Sequence, residues 1–223
     1  MKLYTFDGSP TSRMILLFCA EERIDVEKID VDLLSGAHLS EDYKKINPCA
    51  FVPVLEDGDF RLTESSAILK YLADKYDSKA YPRDLKRRAK INEVMDWLNT
   101  SLYRVVGYNF IYPQIYAHHR REPEVVNQGT IQWGRERTRQ YLQLLESHWL
   151  GEKRFLCGDE LSLADFCGAP ILSQFDLIHA SLAPFRNITR WIGEMRRLKS
   201  WGAVHGMHEK YAASMADREF VTL

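Results

Sequence analysis

Ser9 stands between a short strand-like run, residues 2–6, and a helix-forming one that begins at Pro10. A hydroxyl has one proton to give and two lone pairs, so at this place it can cap the helix and still donate outward to a thiolate. The C-terminal end of a strand is also where α/β sheets usually bind ligands. A second constellation is Thr63-Glu64-Ser65-Ser66, directly before a run in which Ile68, Tyr71, Leu72 and Tyr76 recur at helical spacing. The unpaired N–H groups and positive dipole end of a helix start, with the Ser65 hydroxyl, suit a carboxylate, and Glu64 beside them suits an ammonium. Such a site would hold the head of an α-amino acid. The third is Val52-Pro53. The Pro53 ring fixes its own φ and keeps Val52 extended, and a proline in such a corner can be cis. The Val52 N–H and C=O can then face outward and hydrogen-bond an extended peptide like an added strand. Each group also has a plainer use: Thr63 or Ser65 can cap a helix, and Pro53 can end a loop.

The elements that must position these residues follow from periodicity. Residues 2–6 form a strand, Asp7-Gly8 a turn, and residues 14–20 are apolar on all sides, so that helix must be covered by other elements. Residues 26–31 alternate as a second strand, and a polar segment through His38 leads to a short helix near 40–46. Val54-Leu55 and Phe60-Arg61-Leu62 read as strands joined through residues 56–59, with Asp57-Gly58 as the hairpin signal. The order is βαβ, a helical connection, then ββα. A right-handed crossover makes the first two strands parallel, and the hairpin adds an antiparallel pair. This is the order of an α/β thioredoxin-like domain.

From residue 85 onward everything reads as helix. Residues 85–112 carry the stripe Ile91, Met95, Leu98 and Leu102, and residues 124–150 are given Trp133, Tyr141, Leu144 and Leu145 as inward positions. Ser162 and Asp165 have the spacing of a capping box, here with Asp, and Leu161 and Phe166 that of a hydrophobic staple. Residues 188–198 and 200–213 are further helices. The expected organisation is a domain over residues 1–78, a linker at 79–84 and an all-α helical bundle over 85–223.

Composition narrows the partners. With 45% hydrophobic and 27% charged residues over 223 positions, the chain has ample material for a core. A net charge of −1 makes no electrostatic case for nucleic acid or an anionic membrane. The basic runs at 86–88 and 118–121 read as solvated helix faces. Cys19, Cys49, Cys157 and Cys167 contain no C-x-x-C pair, which argues against a disulfide framework or a zinc site and suits a reducing cytoplasm. No metal is expected, and no stretch approaches the apolar length of a membrane span. His205 and His208 read as a surface coincidence, and there is no G-x-S-x-G, P-loop or H-E-x-x-H.

Over nearly its whole length the chain resembles the cytosolic glutathione transferases. The resemblance rests on Ser9-x-x-Ser12-Arg13, the run Gly36-Ala37-His38-Leu39-Ser40, the Val52-Pro53 corner, Asp57-Gly58-Asp59-Phe60, residues 63–69 and the Ser162-x-x-Asp165 box. It is similar to the theta and delta classes more than to the tyrosine or cysteine classes. The resemblance implies glutathione as co-substrate, with its γ-glutamyl head at Glu64 and Ser65, its cysteinyl part along Val52 and Pro53, and its glycyl carboxylate at His38. It implies that Ser9 donates to the sulfur, lowering the thiol pKa, and that the thiolate is transferred to an apolar electrophile. Peroxide reduction, dehalogenation, isomerisation at the same site, or ligand binding without turnover are the alternatives. Disulfide exchange would have to use Cys49. Tyr103, Tyr108, Phe110, Tyr112, Tyr116 and Phe220 are candidates for the electrophile wall, and Arg104 for a leaving group. A homodimer is implied as well. Two features depart from the pattern: Ala50-Phe51 stand where a lysine or histidine often precedes the corner, and Asn99, Thr100 and Ser101 match no partner-subunit residue.

Overall fold

The computed structural model describes all 223 residues. The N-terminal part is a four-stranded mixed sheet in the order β2-β1-β3-β4, built from β1 (Lys2–Thr5), β2 (Glu27–Asp30), β3 (Val54–Asp57) and β4 (Phe60–Leu62). β1 pairs parallel with β2 through the crossover helix α1 (Pro10–Glu21) and antiparallel with β3, which returns antiparallel along β4. α2 (Glu41–Ile46) precedes the corner and α3 (Ser65–Lys75) follows the hairpin. This is the expected thioredoxin-like order. The hairpin is centred one residue later than the Asp-Gly signal implies. Asp57 still pairs with Phe60, and the two-residue loop is Gly58-Asp59, where Gly58 takes φ +64°. A glycine supplies that left-handed position without a Cβ clash.

The remainder is helical. α4 (Leu85–Trp97) continues through wide π turns at Leu98–Tyr103 and Val106–Ile111 into α5 (Tyr112–Ile115), and a single 3₁₀ turn follows at Ala117–His119. Next come α6 (Glu124–Leu144) with a π turn at Leu145–Leu150, α7 (Leu163–Leu172), α8 (Arg186–Arg196) and α9 (Trp201–Ala213). The stripe of Ile91, Met95, Leu98 and Leu102 is buried as its spacing requires.

α6 is the exception to reading large apolar residues as inward. Trp133 and Leu144 are 49% and 45% exposed, while Asn127, Ile131, Gly134, Thr138, Leu142 and Leu145 face inward. The reason is the closeness of the Val106–Ile111 turn: a Cβ on Gly134 would stand 2.3 Å from the carbonyl oxygen of Asn109. Only a glycine admits that approach, and it rotates the helix so that Trp133 lies outside.

α1 ties the two parts together. Its residues from Met14 to Cys19 are buried, and they belong to one apolar cluster that also holds Leu3 and Leu55 of the sheet and Phe166, Trp191 and Met195 of the bundle. Phe18 meets Phe166 edge-on at 5.3 Å between ring centres. The helix predicted to need cover on all sides therefore has the sheet on one side and α7 on the other. Asp165 anchors that contact. It is fully buried and accepts from Ser162 N and Oγ, Leu156 N and Trp191 Nε1, all at 2.8–2.9 Å. Burial pushes its carboxyl up from the ordinary range, and the four donors oppose that.

His205 and His208 contradict the surface reading. They are 0% and 2% exposed. His205 stacks on Trp201 at 3.6 Å, and His208 accepts from Arg13 Nη2 at Nδ1 (3.3 Å) while its Nε2 donates to the Ser173 carbonyl (2.9 Å). An i, i+3 pair lies on one helix face, and here that face is the packed one.

Candidate active site

A cavity of about 550 Å³ lies between the sheet end of the N-terminal domain and the π-turn segment of the bundle. Ser9, His38, Val52, Pro53, Glu64 and Ser65 all line it. They arrive from four separate connections: β1 to α1, β2 to α2, α2 to β3, and β4 to α3.

Ser9 is the N-cap of α1 and accepts weakly from Ser12 N at 3.5 Å. Its hydroxyl lies 2.9 Å from Thr11 Oγ1, which donates to the Val52 carbonyl at 3.3 Å. Since Thr11 has one proton and spends it on Val52, Ser9 is the donor to Thr11. Ser12, the other serine of the motif, is fully buried and accepts from Phe6 N, so it closes the turn and never meets the cavity. Arg13 is fully buried too, held by Ser173 Oγ at 2.9 Å and by His208, with no carboxylate against it. Burial pulls its pKa down to about 10, so it stays a cation at neutral pH.

The Val52–Pro53 peptide is cis, and the Val52 N–H makes no hydrogen bond within the protein. At α3 neither Thr63 nor Ser65 caps the helix. No protein group accepts from the first-turn N–H groups of Ser65, Ser66 and Ala67. The residue before them, Glu64, sits at φ +64°, a conformation costly for any residue but glycine. The helix start is open, and the chain is bent to put a carboxylate beside it. A group bearing both a carboxylate and an ammonium fits there.

The opposite wall is aromatic. Tyr103 and Tyr108 are five residues apart, which on a π turn places them on one face, and their rings meet at 5.6 Å. Tyr112 donates to Gln174 Oε1 at 3.3 Å and accepts from Tyr103 at 3.0 Å, since Gln174 Nε2 donates to the Pro170 carbonyl. Burial raises the pKa of all three phenols and of Tyr116, so they remain protonated. The cavity thus sets the free backbone N–H groups at Val52 and at the start of α3 against a wall of four phenols, in which Asp96, Asn99, Thr100, His118, His119 and Gln174 also stand.

Residues 1–74 match the family described as glutathione S-transferase, N-terminal domain, and residues 86–201 match the glutathione S-transferase C-terminal domain. The chain belongs to the glutathione S-transferase family. It is 37% identical to human glutathione S-transferase theta-1 over 171 residues, 74% of this chain and 69% of that one. It is 34% identical to mouse theta-2 over 180 residues, 78% and 71% of the two chains. The solved structure of human glutathione transferase theta-2, a complex with glutathione and an unknown ligand, superposes with a TM-score of 0.86 at 29% identity, over 100% of this chain and 93% of that one. A delta-class enzyme from Nilaparvata lugens gives 0.79 at 29%, over 95% and 96%. This is a glutathione transferase of theta-like type, with glutathione as co-substrate.

For this glutathione S-transferase several sequence expectations change. Of the six aromatic candidates, Tyr103, Tyr108, Tyr112 and Tyr116 line the cavity. Phe110 is buried in the core, and Phe220 packs on His179 outside the cavity wall. Arg104 is exposed and is not in the wall. Of the basic run read as a solvated face, His118, Arg120 and Arg121 are exposed, yet His118 and the half-buried His119 both line the cavity, and burial with the neighbouring His118 pushes His119 down to about 4. Cys49 is exposed and outside the wall, which removes the residue that disulfide exchange would need. Thr11, Gln174 and the trio Asp96, Asn99 and Thr100 also reach the site without having been singled out for it. Thr11 had a signal, a hydroxyl within the same turn as Ser9; the others depend on tertiary approach. No helix is long and apolar enough to cross a membrane.

Proposed function

We propose that Ser9 donates its hydroxyl hydrogen to the sulfur of bound glutathione, favours thiolate over thiol, and presents that thiolate to an apolar electrophile seated among Tyr103, Tyr108, Tyr112 and Tyr116. The observation that carries this reading is the shared cavity, which Ser9 lines together with the open α3 start and the four tyrosines. The γ-glutamyl carboxylate would take the free N–H groups of Ser65 and Ser66, its ammonium Glu64, and the cysteinyl backbone the free Val52 N–H beside Pro53. His38 would take the glycyl carboxylate.

The sulfur then competes with Thr11 for the Ser9 proton. Each unit by which the thiol pKa falls from about 8.5 is worth about 1.4 kcal/mol. The positive end of α1 and the buried Arg13 cation, one turn beyond Ser9 on the same helix, act in the same direction. The thiol proton leaves to solvent. Sulfur forms the new bond to the electrophilic carbon, and the leaving group departs with its electron pair or, in an addition, the pair moves onto the conjugated acceptor.

Residues 1–78 would serve glutathione and residues 85–223 the electrophile, joined by 79–84. Apolar surface left exposed at Phe60 and Trp133 supports association into a homodimer. Ser9→Ala is expected to raise the pKa of the bound thiol by about 1–2 units and to lower kcat/KM about 10- to 100-fold, with little change in glutathione affinity. Thiolate absorbance against pH and steady-state rates measure both. An unchanged pKa and rate would remove Ser9 from the mechanism.

A further inference from the structure

Glutathione seated as proposed above carries two carboxylates, and the cavity wall offers them very different partners. One has the open start of α3. For the other, none of the residues lining the cavity is a lysine or arginine; the only basic side chains are His38, His118 and His119. His38 comes from the N-terminal domain, on the 3₁₀ turn Ala37–Leu39 that follows Gly36, and His118 from the bundle, on the turn Ala117–His119. Both imidazoles line the one cavity from the two domains, and charge on His118 adds to burial in disfavouring charge on His38. His38 Nδ1 is buried without a hydrogen-bond partner. The His118 ring is held in place by stacking on Tyr116, 5.8 Å between centres and 25° between planes, and Tyr116 in turn stacks on Tyr211 of α9.

We propose that His118 is the second half of a two-histidine clamp which, with His38, holds the glycyl carboxylate of glutathione across the two domains. The clamp rests on the placement of glutathione proposed above. An anion between the two rings turns their mutual repulsion into shared attraction, because each imidazolium then faces a carboxylate. The other charged or titratable groups around the pair are His119 with Arg121 near it, Glu64 and Asp96 on the cavity wall, and the phenols of Tyr103, Tyr108, Tyr112 and Tyr116, which stay protonated. Burial and the nearby His118 hold His38 below its ordinary range in the free protein, so closing the clamp takes up protons from solvent.

The experiment is calorimetric titration of the full chain with S-methylglutathione and with S-methyl-γ-glutamylcysteine, which lacks the glycine. The wild-type protein is expected to bind the first more tightly. His118→Ala is expected to weaken S-methylglutathione about tenfold and leave S-methyl-γ-glutamylcysteine within about twofold, and to reduce the proton uptake read from binding heats in buffers of different ionisation enthalpy. His118→Lys, which restores a cation, is expected to recover the affinity. Equal losses for both ligands, or no loss for either, would overturn the clamp while leaving the glutathione site intact. Failure of the wild-type protein to bind either ligand would overturn the underlying placement and the clamp with it.

Discussion

Glu64 holds a conformation that an L-residue adopts only at a cost of about 1–3 kcal/mol, at φ +64° beside the open start of α3. A strained residue in a cavity wall is a place where stability has been given up for position. Two variants separate the two effects. Glu64→Ala and Glu64→Gly both remove the carboxylate, and both are expected to weaken glutathione binding about tenfold or more. Only the glycine relieves the backbone, so Glu64→Gly is expected to be more stable than Glu64→Ala by about 1 kcal/mol after the glycine's larger unfolded-state entropy is counted. Calorimetric titration and urea unfolding of the pair decide it; equal stabilities would mean that the strain is absent. At this scale the sequence was informative. Ser9, Val52, Glu64 and Ser65 could be named from residue type and neighbours, because each belongs to a local backbone feature: a strand end, a proline corner or a helix start. Thr11, which accepts the Ser9 hydrogen bond, has a local signal in its hydroxyl two residues on, but its own acceptor, the Val52 carbonyl 41 positions away, is set by the fold.

Among the elements, α6 shows why volume alone misleads. Trp133 and Leu144 are large and apolar yet stand outside, while the packed face carries Ile131, Thr138 and Leu142 together with Gly134, which lets the backbone of the Val106–Ile111 turn come close. Gly134→Ala would place a methyl 2.3 Å from the Asn109 carbonyl oxygen. The expected cost is about 1–3 kcal/mol, the usual penalty of overpacking, despite the better helix propensity of alanine. Gly129→Ala on the same helix has open space around it and is expected to gain up to about 1 kcal/mol. Thermal or urea unfolding of the two variants checks the contrast, and a Gly134→Ala protein as stable as the parent would mean the two segments are free to separate. The π turns are equally silent in the residue pattern. They bring Tyr103 and Tyr108 together, a spacing that places residues on different faces of an ordinary α-helix.

At the scale of the molecule, the two domains share one core, and its polar centre is a cation without a carboxylate. Arg13 is bound by Ser173 and by a neutral His208, and His205 lies stacked on Trp201 nearby. Burial and the Arg13 charge push His205 down to about 2 and His208 to about 3. In the unfolded chain a histidine takes up its proton near about pH 6.5. Between these values the unfolded state binds more protons than the folded one, so stability falls as the pH falls below about 6.5. By about pH 5 each buried histidine is expected to cost about 2 kcal/mol. His208→Gln, whose amide can still donate to the Ser173 carbonyl, is expected to lose that share of the slope. Urea unfolding at about pH 7 and about pH 5 measures it, and an identical pH dependence in the variant would show that His208 can be protonated in place.

The sequence by itself determined the order of strands and helices, the thioredoxin-like domain, the helical domain after it, and the residues that the N-terminal domain brings to the cavity. These depend on short-range signals: alternation, helical periodicity, proline, and unpaired groups at helix starts. Tertiary structure alone decided which aromatic side chains line the cavity, which helix face is packed, and the burial of His205 and His208. Those outcomes depend on how closely two distant segments approach, and the distance of approach is set by small residues such as Gly134 and by π turns whose signature is not a residue type. The histidine at position 118 shows the difference most plainly: it is exposed, as its surroundings in the chain suggest, and it lines the cavity beside residues of the N-terminal domain that lie far from it in sequence.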